Sequence, residues 1–534
     1  MKSYTRDMSL AEQIGQLLVV GFYGITIPQT LRDLIEHHHV GNIILFSRNI
    51  QDTRQTLRLT RDLQTIAQDS GQRYPLLIML DQENGLVRRL GPDATIFPGN
   101  MALGAIGSEQ ITYDIAQATG QELRALGINM NLAPVVDVNN NPANPVIGVR
   151  SFGENPQQVA RLGSAAMKGY RAAGVISTLK HFPGHGDTSV DSHRALPILP
   201  HTLERLEHVE LVPFVRCIAE GAECVMIGHL YLPQLMSREV LPATVSPEIV
   251  QGLLRHRLGF DGVVISDCME MDAVARTIGT ERGTVMALQA GNDLVLVSHH
   301  SSLQLGSLEA ISAAVQAGEL SPETIHRAAE RVQRLKERYL SWETSTPSTP
   351  LELVGSAVHR YLSATAYEFS TTLVKNDEAL IPPRLQPDER VLVLYPQKGV
   401  ASAVEDRSQA PAVLAEAIER RHANTRALAY SPASDDAESA AIHNAATEAS
   451  IVIMATMNAH ADERQAELMY QLLQAGCRVI GIAIRNPYDL QSFPQLRTSL
   501  ATYEYTAPAL EAAVRVVFGE VEARGVLPVD LSGL

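Results

Sequence analysis

One segment, STLKHFPGHGDTSVDSHRALP over Ser177–Pro197, sets Lys180, His181, His185, Asp187, Asp191 and His193 among glycine and proline punctuation. A carboxylate two residues from a histidine suits acid/base work. The carboxylate orients one ring nitrogen and stabilises the protonated ring, leaving the other nitrogen to move a proton. Asp191 and His193 have that spacing. The same loop offers His185, Asp187, Asp191 and His193 as metal ligands, but its spacing imposes no metal geometry and lacks an H-E-x-x-H signature. A hydrogen-bonded loop without chemistry is the third reading. Asp267 ends the apolar run of GFDGVVISDCMEM, where it can serve as a nucleophile, as a charge facing a cation-like transition state, or as a plain strand cap. Asp81 holds the equivalent place in LLIMLDQENGLVRRL, and Arg88, Arg89 and Arg150 are candidates for gripping hydroxyl, acyl or anionic groups.

Positioning such residues together needs a scaffold that delivers several strand ends to one place. Eight short apolar runs, at 16–22, 42–46, 75–81, 129–136, 174–181, 223–229, 262–267 and 293–298, alternate with stretches of helical periodicity. They read as buried parallel strands with helical crossovers, and the count predicts an α/β fold with an N-terminal (β/α)8 barrel over 1–340. Asp81, Asp137, Lys180, His181, His229 and Asp267 fall where these runs end, so one barrel mouth receives them all. A helix capped by Ser321 with Pro322 in its first turn closes this region. A Ser/Thr/Pro-rich linker follows at 341–350. Further runs at 390–396, 450–456 and 478–484, with a helix expected from Leu351, predict a smaller αβα layered domain over 351–534.

Composition excludes several classes. With 45% hydrophobic and 19% charged residues in 534, the chain has ample apolar surface to fold, and disordered or collagen-like states are ruled out. A formal charge of −15 disfavours phosphate backbones, so no nucleic-acid partner is expected. The apolar runs are far shorter than the roughly 20 residues of a membrane span. The start, MKSYTRDMSLAEQ, lacks the apolar core of an export signal, carries a capping-box pattern at Ser9 and Glu12, and suggests a cytoplasmic protein. Cys217, Cys224, Cys268 and Cys477 are scattered and read as reduced and mostly buried.

DQENGLVRRL, NLAPVVDVNNNPANPVIGVRSFG, KHFPGHGDTSVDSH, the strand ending at His229 and GFDGVVISDCMEM occur in an order that resembles family 3 glycoside hydrolases. Specifically, the chain is similar to the bacterial two-domain β-N-acetylhexosaminidase branch, a likeness that NPYDLQSFP and FGEVEARGVLPVDL carry into the second domain. The resemblance implies that Asp267 is the nucleophile of a retaining reaction and that Asp191 and His193 are the acid/base pair. It implies that Asp81, Arg150, Lys180 and His181 surround the sugar, with Arg88 and His229 nearby, and that neither metal nor cofactor is used. The implied substrates are small amino-sugar glycosides, from peptidoglycan fragments or chitooligosaccharides, and some relatives use phosphate as acceptor. Scarce aromatic residues, 5% with Trp342 the sole tryptophan, agree with small glycosides rather than an extended polysaccharide. A β-glucosidase or glycoside phosphorylase on this scaffold, a metal-dependent hydrolase and a non-catalytic sugar-binding protein are the rival functions. Two positions depart from the pattern. Asn84 stands where glycine is common, so it is expected to adopt the unusual backbone conformation itself or to shift its loop. Cys268, beside Asp267, is expected to pack on the opposite face rather than act as a thiol.

Overall fold

A computed structural model describes residues 8–193, 195–236, 239–344, 349–397, 405, 410–431 and 436–532. The first eight strands close into an all-parallel barrel in sequence order. They are β1 (Leu18–Val20), β2 (Asn42–Ile44), β3 (Leu77–Leu80), β4 (Met130–Asn131), β5 (Ile176–Phe182), β6 (Cys224–Ile227), β7 (Val263–Cys268) and β8 (Leu294–Val297). Closure pairs Leu18 with Val295 and Val20 with Val297. The strands are Val-, Ile- and Leu-rich because barrel interior and helical shell bury both faces. Each predicted run overlaps its strand, β5 and β7 extending one residue beyond theirs, although β4 keeps only two residues of its run. Downstream lies Pro134, which has no N–H to donate to a ladder.

Local caps follow the sequence. Ser9 and Glu12 form the reciprocal capping box. Ser321 Oγ accepts from Thr324 N at 3.1 Å at the start of helix Pro322–Tyr339. Residues 345–348 of the expected linker lie outside the described residues, and Leu351 begins a short 3₁₀ turn rather than the expected helix. The helix starts six residues later, at Ala357, capped by Ser356. Gly355 explains the delay: its φ of 65° breaks the helical path, and a Cβ there would lie 2.1 Å from Asp93 O.

The second sheet has six strands in the order β11-β10-β12-β13-β14-β9. These are β9 (Thr372–Asn376), β10 (Val391–Pro396), β11 (Thr425–Tyr430), β12 (Ile451–Thr456), β13 (Val479–Ala483) and β14 (Thr498–Ala501). All pairings are parallel except β14 with β9. The apolar runs revealed β10, β12 and β13, the buried centre. They missed edge strands β9 and β11, which are partly exposed and correspondingly mixed in composition, and the short, polar β14. Leu86, Met101, Ala102 and Val149 of the barrel loops belong to the hydrophobic cluster of this sheet, so the two regions share packing. Val526 N donates to Ala105 O at 2.9 Å, and Glu154 N to Pro528 O at 3.1 Å, tying the C-terminal segment back across the barrel. Among the described residues no helix is long and apolar enough to cross a membrane.

Candidate active site

The ends of β3, β4 and β5 and the loop before Ser151 meet in a buried ionic network. Lys180 Nζ lies 2.7 Å from Asp81 Oδ1 and 2.6 Å from Glu83 Oε1. Arg150 grips Glu83 through Nε–Oε2 and Nη2–Oε1 contacts, both 2.8 Å. Burial opposes charge on Glu83, but Arg150 and Lys180 outweigh it and hold the carboxyl well below the usual range. Lys180 and Arg150 are shifted upward for the reciprocal reason, their carboxylate partners overcoming desolvation. Beside them, Asp137 Oδ2 accepts from His181 Nδ1 at 2.8 Å, while its Oδ1 accepts the backbone N–H groups of His181 and His185 at 3.1 and 2.7 Å. Asp137 is buried yet lowered in pKa, because the two histidines and these hydrogen bonds offset desolvation. With Nδ1 donating, His181 Nε2 presents its lone pair to Arg150 Nη2, 3.5 Å away.

Asp267 enters the same mouth from the end of β7. Its Oδ1 accepts from Cys268 N at 2.7 Å. Burial raises its pKa, but His229, His181, His193 and the Cys268 N–H together bring it below the ordinary value, so the carboxylate is ionised. His229, by contrast, is held low chiefly by burial. The neutral ring donates Nε2–H to Cys268 O at 2.9 Å, and Nδ1 faces the Thr244 hydroxyl at 2.7 Å. Burial pushes the Cys268 thiol up to about 12, so it stays protonated, with Sγ 4.0 Å from Glu270 Oε2.

The segment after β5 carries the fourth component. His193 Nδ1 lies 2.7 Å from Asp191 Oδ1, and His193 N donates to that same oxygen at 2.9 Å. Because carboxylate oxygen only accepts, Nδ1 carries the proton, and Nε2 is the nitrogen offered to a substrate. Burial raises Asp191, and the bonds from His193 overcome this and lower it. Asn144 Nδ2 braces the base of the loop by donating to His185 O and Gly186 O at 2.8 and 2.9 Å.

The four residues of the metal reading do not converge. His185 is spanned by Thr188 and Ser192, Asp187 bonds His201 at 2.8 Å, and Asp191 bonds His193. Among the described residues, the His/Cys/Asp/Glu groups close enough to share an ion are Cys268–Glu270–His299 and Asp187–His201–Glu210. Neither is that quartet.

Of the expected site residues, Asp81, Arg150, Lys180, His181, His229, Asp267 and the Asp191–His193 pair are linked by these contacts and charges. Arg88 is buried on the loop after β3, where Nη2 donates to Gly91 O at 3.1 Å and its charge is felt by Tyr367. Glu83, absent from the expected set, is the hub of the network. No local pattern marked it, because the partners that make it the hub, Lys180 and Arg150, lie far along the chain. Asp137 was visible only as a polar strand end. Asn84 has φ 72°, the left-handed conformation that was the first of its two expected alternatives.

Residues 9–335 match the glycosyl hydrolase family 3 N terminal domain. β-Hexosaminidase A of Pseudoalteromonas piscicida is 34% identical, covering 95% of this chain and 92% of its own. A solved family 3 β-N-acetylglucosaminidase from Paenibacillus sp. is 39% identical with a TM-score of 0.91, covering 99% of this chain and all of that one. A fungal multi-domain family 3 β-N-acetylglucosaminidase is 42% identical with a TM-score of 0.92 over 98% of this chain, which spans 61% of that longer protein. Matched through the whole barrel by the family's own domain and end to end by these relatives, the chain belongs to glycosyl hydrolase family 3.

Proposed function

We propose that this chain is an exo-acting, retaining β-N-acetylglucosaminidase that releases terminal N-acetylglucosamine from small glycosides such as peptidoglycan fragments or chitooligosaccharides. The observation that carries the reading is the 2.7 Å Asp191–His193 bond in the mouth where Asp267 lies ionised. The relatives named as β-hexosaminidase and β-N-acetylglucosaminidase support the amino-sugar assignment.

In the first step the Asp267 carboxylate forms a bond to the anomeric carbon as the bond to the aglycone oxygen breaks. The His193 imidazolium gives its Nε2 proton to that leaving oxygen. In the second step neutral His193 takes a proton from water, whose oxygen attacks the anomeric carbon while the ester bond to Asp267 breaks. Two inversions give retention, and the imidazolium is restored for the next turnover. Histidine here fills the position that a second carboxylic acid holds in most retaining glycosidases. Asp191 orients the ring and steadies its charge. Lys180, Asp81, Arg150 and His181 meet the hydroxyls and acetamido group of the sugar, with Glu83 and Asp137 holding them in place. Cys217 and Cys224 are free and buried, in keeping with a cytoplasmic setting.

The test is mass spectrometry after exposure to a slow fluorinated N-acetylglucosamine donor, with peptide mapping. A sugar adduct on Asp267 is expected; an adduct elsewhere, or none despite turnover, would overturn the covalent assignment. Comparing N-acetylglucosaminide with glucoside, each with and without phosphate, tests the sugar and acceptor. Preference for the plain glucoside would sink the acetamido reading, and accumulation of sugar 1-phosphate would replace water as the acceptor.

A further inference from the structure

The second sheet reaches the sugar-facing network through one buried carboxyl. Glu504 lies just beyond β14, and its Oε1 accepts from Gly99 N of the barrel at 2.9 Å. Its Oε2 accepts from Tyr367 Oη and Thr506 Oγ1, both at 3.0 Å. Gly99 is packed directly against Gly85: a Cβ on Gly85 would lie 2.9 Å from Gly99 Cα and 3.3 Å from Glu504 Oε1. Gly85 N in turn donates to Phe97 O at 2.9 Å. The neighbours of these two glycines are the residues that matter. Glu83 is two residues before Gly85, and Asn100, next to Gly99, donates from Nδ2 to Arg150 O at 2.8 Å. Glu83, Gly85, Gly99, Asn100, Arg150 and Glu504 line one small cavity. Tyr503, immediately before Glu504, has φ 67°, a conformation a bulky side chain adopts only where its surroundings enforce it.

We infer that Glu504 is a positioning residue of the active site, supplied by the second domain: it fixes the Gly85–Gly99 contact and thereby sets the placement of the Glu83–Arg150 pair. The inference rests on the proposed sugar-binding role of that pair. Glu504 touches neither the sugar nor the reacting atoms. It acts through the backbone, so its loss is expected to weaken substrate binding more than the chemical step.

The experiment compares the full-length wild type with Glu504→Ala, Glu504→Gln, Glu83→Ala and Leu510→Ala, using whichever aryl glycoside the wild type hydrolyses, so a failed acetamido assignment leaves it intact. Leu510 is fully buried in the second domain, and its truncation supplies a loss of stability without touching Glu504 contacts. Glu504→Ala should raise KM roughly five- to tenfold while changing kcat less than about threefold, the scale of one lost hydrogen bond acting at a distance. Glu504→Gln keeps an oxygen for Gly99 N and should restore KM to within about twofold of wild type. Leu510→Ala should lower Tm and leave KM unchanged. An unaltered KM in Glu504→Ala, or the same rise in Leu510→Ala, would overturn the inference. If Glu83→Ala leaves KM and kcat untouched while Glu504→Ala raises KM, the sugar-binding assignment of Glu83 falls and, with it, the proposed route from Glu504.

Discussion

Two halves of the barrel mouth are built differently. Lys180, Glu83 and Arg150 are almost wholly buried and joined through paired charges, and each carboxylate oxygen of Glu83 accepts from a cation. The Asp191–His193 pair stands on a loop, and the His193 side chain remains 31% exposed, against 2% for Glu83. Both halves use a carboxylate to fix a nitrogen-bearing partner. In the first, strand β5, the segment after β3 and the turn Gly148–Arg150 deliver the residues, and desolvation makes breaking a pair costly. In the second, a short Asp-x-His bond orients one ring while leaving its other nitrogen accessible to exchange protons. Under the proposed mechanism the arrangement separates holding a sugar from moving a proton, and the Asp267 carboxylate feels a histidine of each half, His181 and His193.

Removing Asp267 breaks both halves' purpose at once and is expected to have the largest effect. Asp267→Asn should lower kcat on the order of 10⁴-fold or more, measured with an aryl N-acetylglucosaminide on folded protein, because the covalent route loses its nucleophile. Activity within tenfold of wild type would remove Asp267 from that role. His193→Ala attacks only the exposed half, and a loss of about 10²–10⁴-fold is expected. The loss should shrink as the leaving group becomes more acidic, since a good leaving group needs little protonation. An equal loss across a leaving-group series would reduce His193 from a proton donor to a spacer.

The same contrast explains what was readable from sequence. Asp267, Lys180 and His181 end apolar strands, and a barrel converts strand ends into a shared mouth, so periodicity alone located them. Asp191 and His193 were readable for a different reason: their partner is two residues away, and local spacing encodes the contact. Glu83 was missed because its partners, Lys180 and Arg150, lie far along the chain, and no local pattern distinguishes it from a surface glutamate. Glu504 was invisible for the same reason, with its barrel partner Gly99 more than 400 residues earlier. Edge strands β9 and β11 escaped because exposure dilutes the apolar signal that β10, β12 and β13 retain.

A break in the buried half should register as stability as well as binding. Glu83→Gln leaves Arg150 and Lys180 facing a neutral amide, and about 3–5 kcal/mol of unfolding free energy should be lost, with KM raised. Denaturant unfolding checks the first and steady-state kinetics the second. A raised KM alone, with wild-type stability, would show that water reaches the network and would erase the contrast with the loop.

Glu504 sharpens the comparison through pH. Burial, foremost, pushes its carboxyl up to about 7, although Gly99 N, Tyr367 and Thr506 pull the other way. Arg88 is the nearby cation felt by Tyr367. The native protein therefore keeps this proton over a range where the unfolded chain, with an ordinary glutamate, has lost it. Its contribution to stability is greatest below the unfolded pKa of about 4.3 and declines as pH rises through about 7, by up to ~4 kcal/mol in all. Glu504→Gln does not titrate, so its stability relative to wild type should improve between pH 5 and 8. A constant difference across that range would mean that Glu504 ionises normally in the folded protein.

The smallest expected effect lies at Asn84, between Glu83 and Gly85. Its φ of 72° costs a non-glycine residue, but its side chain offsets this by donating to Thr119 Oγ1 at 3.0 Å and accepting from Gln82 Nε2 at 3.2 Å. Asn84→Gly relieves the backbone and loses both bonds, so stability should change by no more than about 1 kcal/mol. Asn84→Ala loses the same bonds and keeps the strain, and should be less stable than the glycine variant by ~1 kcal/mol. That difference isolates the backbone cost, because the side-chain loss is common to both. If the two variants unfold alike, the left-handed turn carries no cost here, and the side-chain bonds alone account for asparagine at this position.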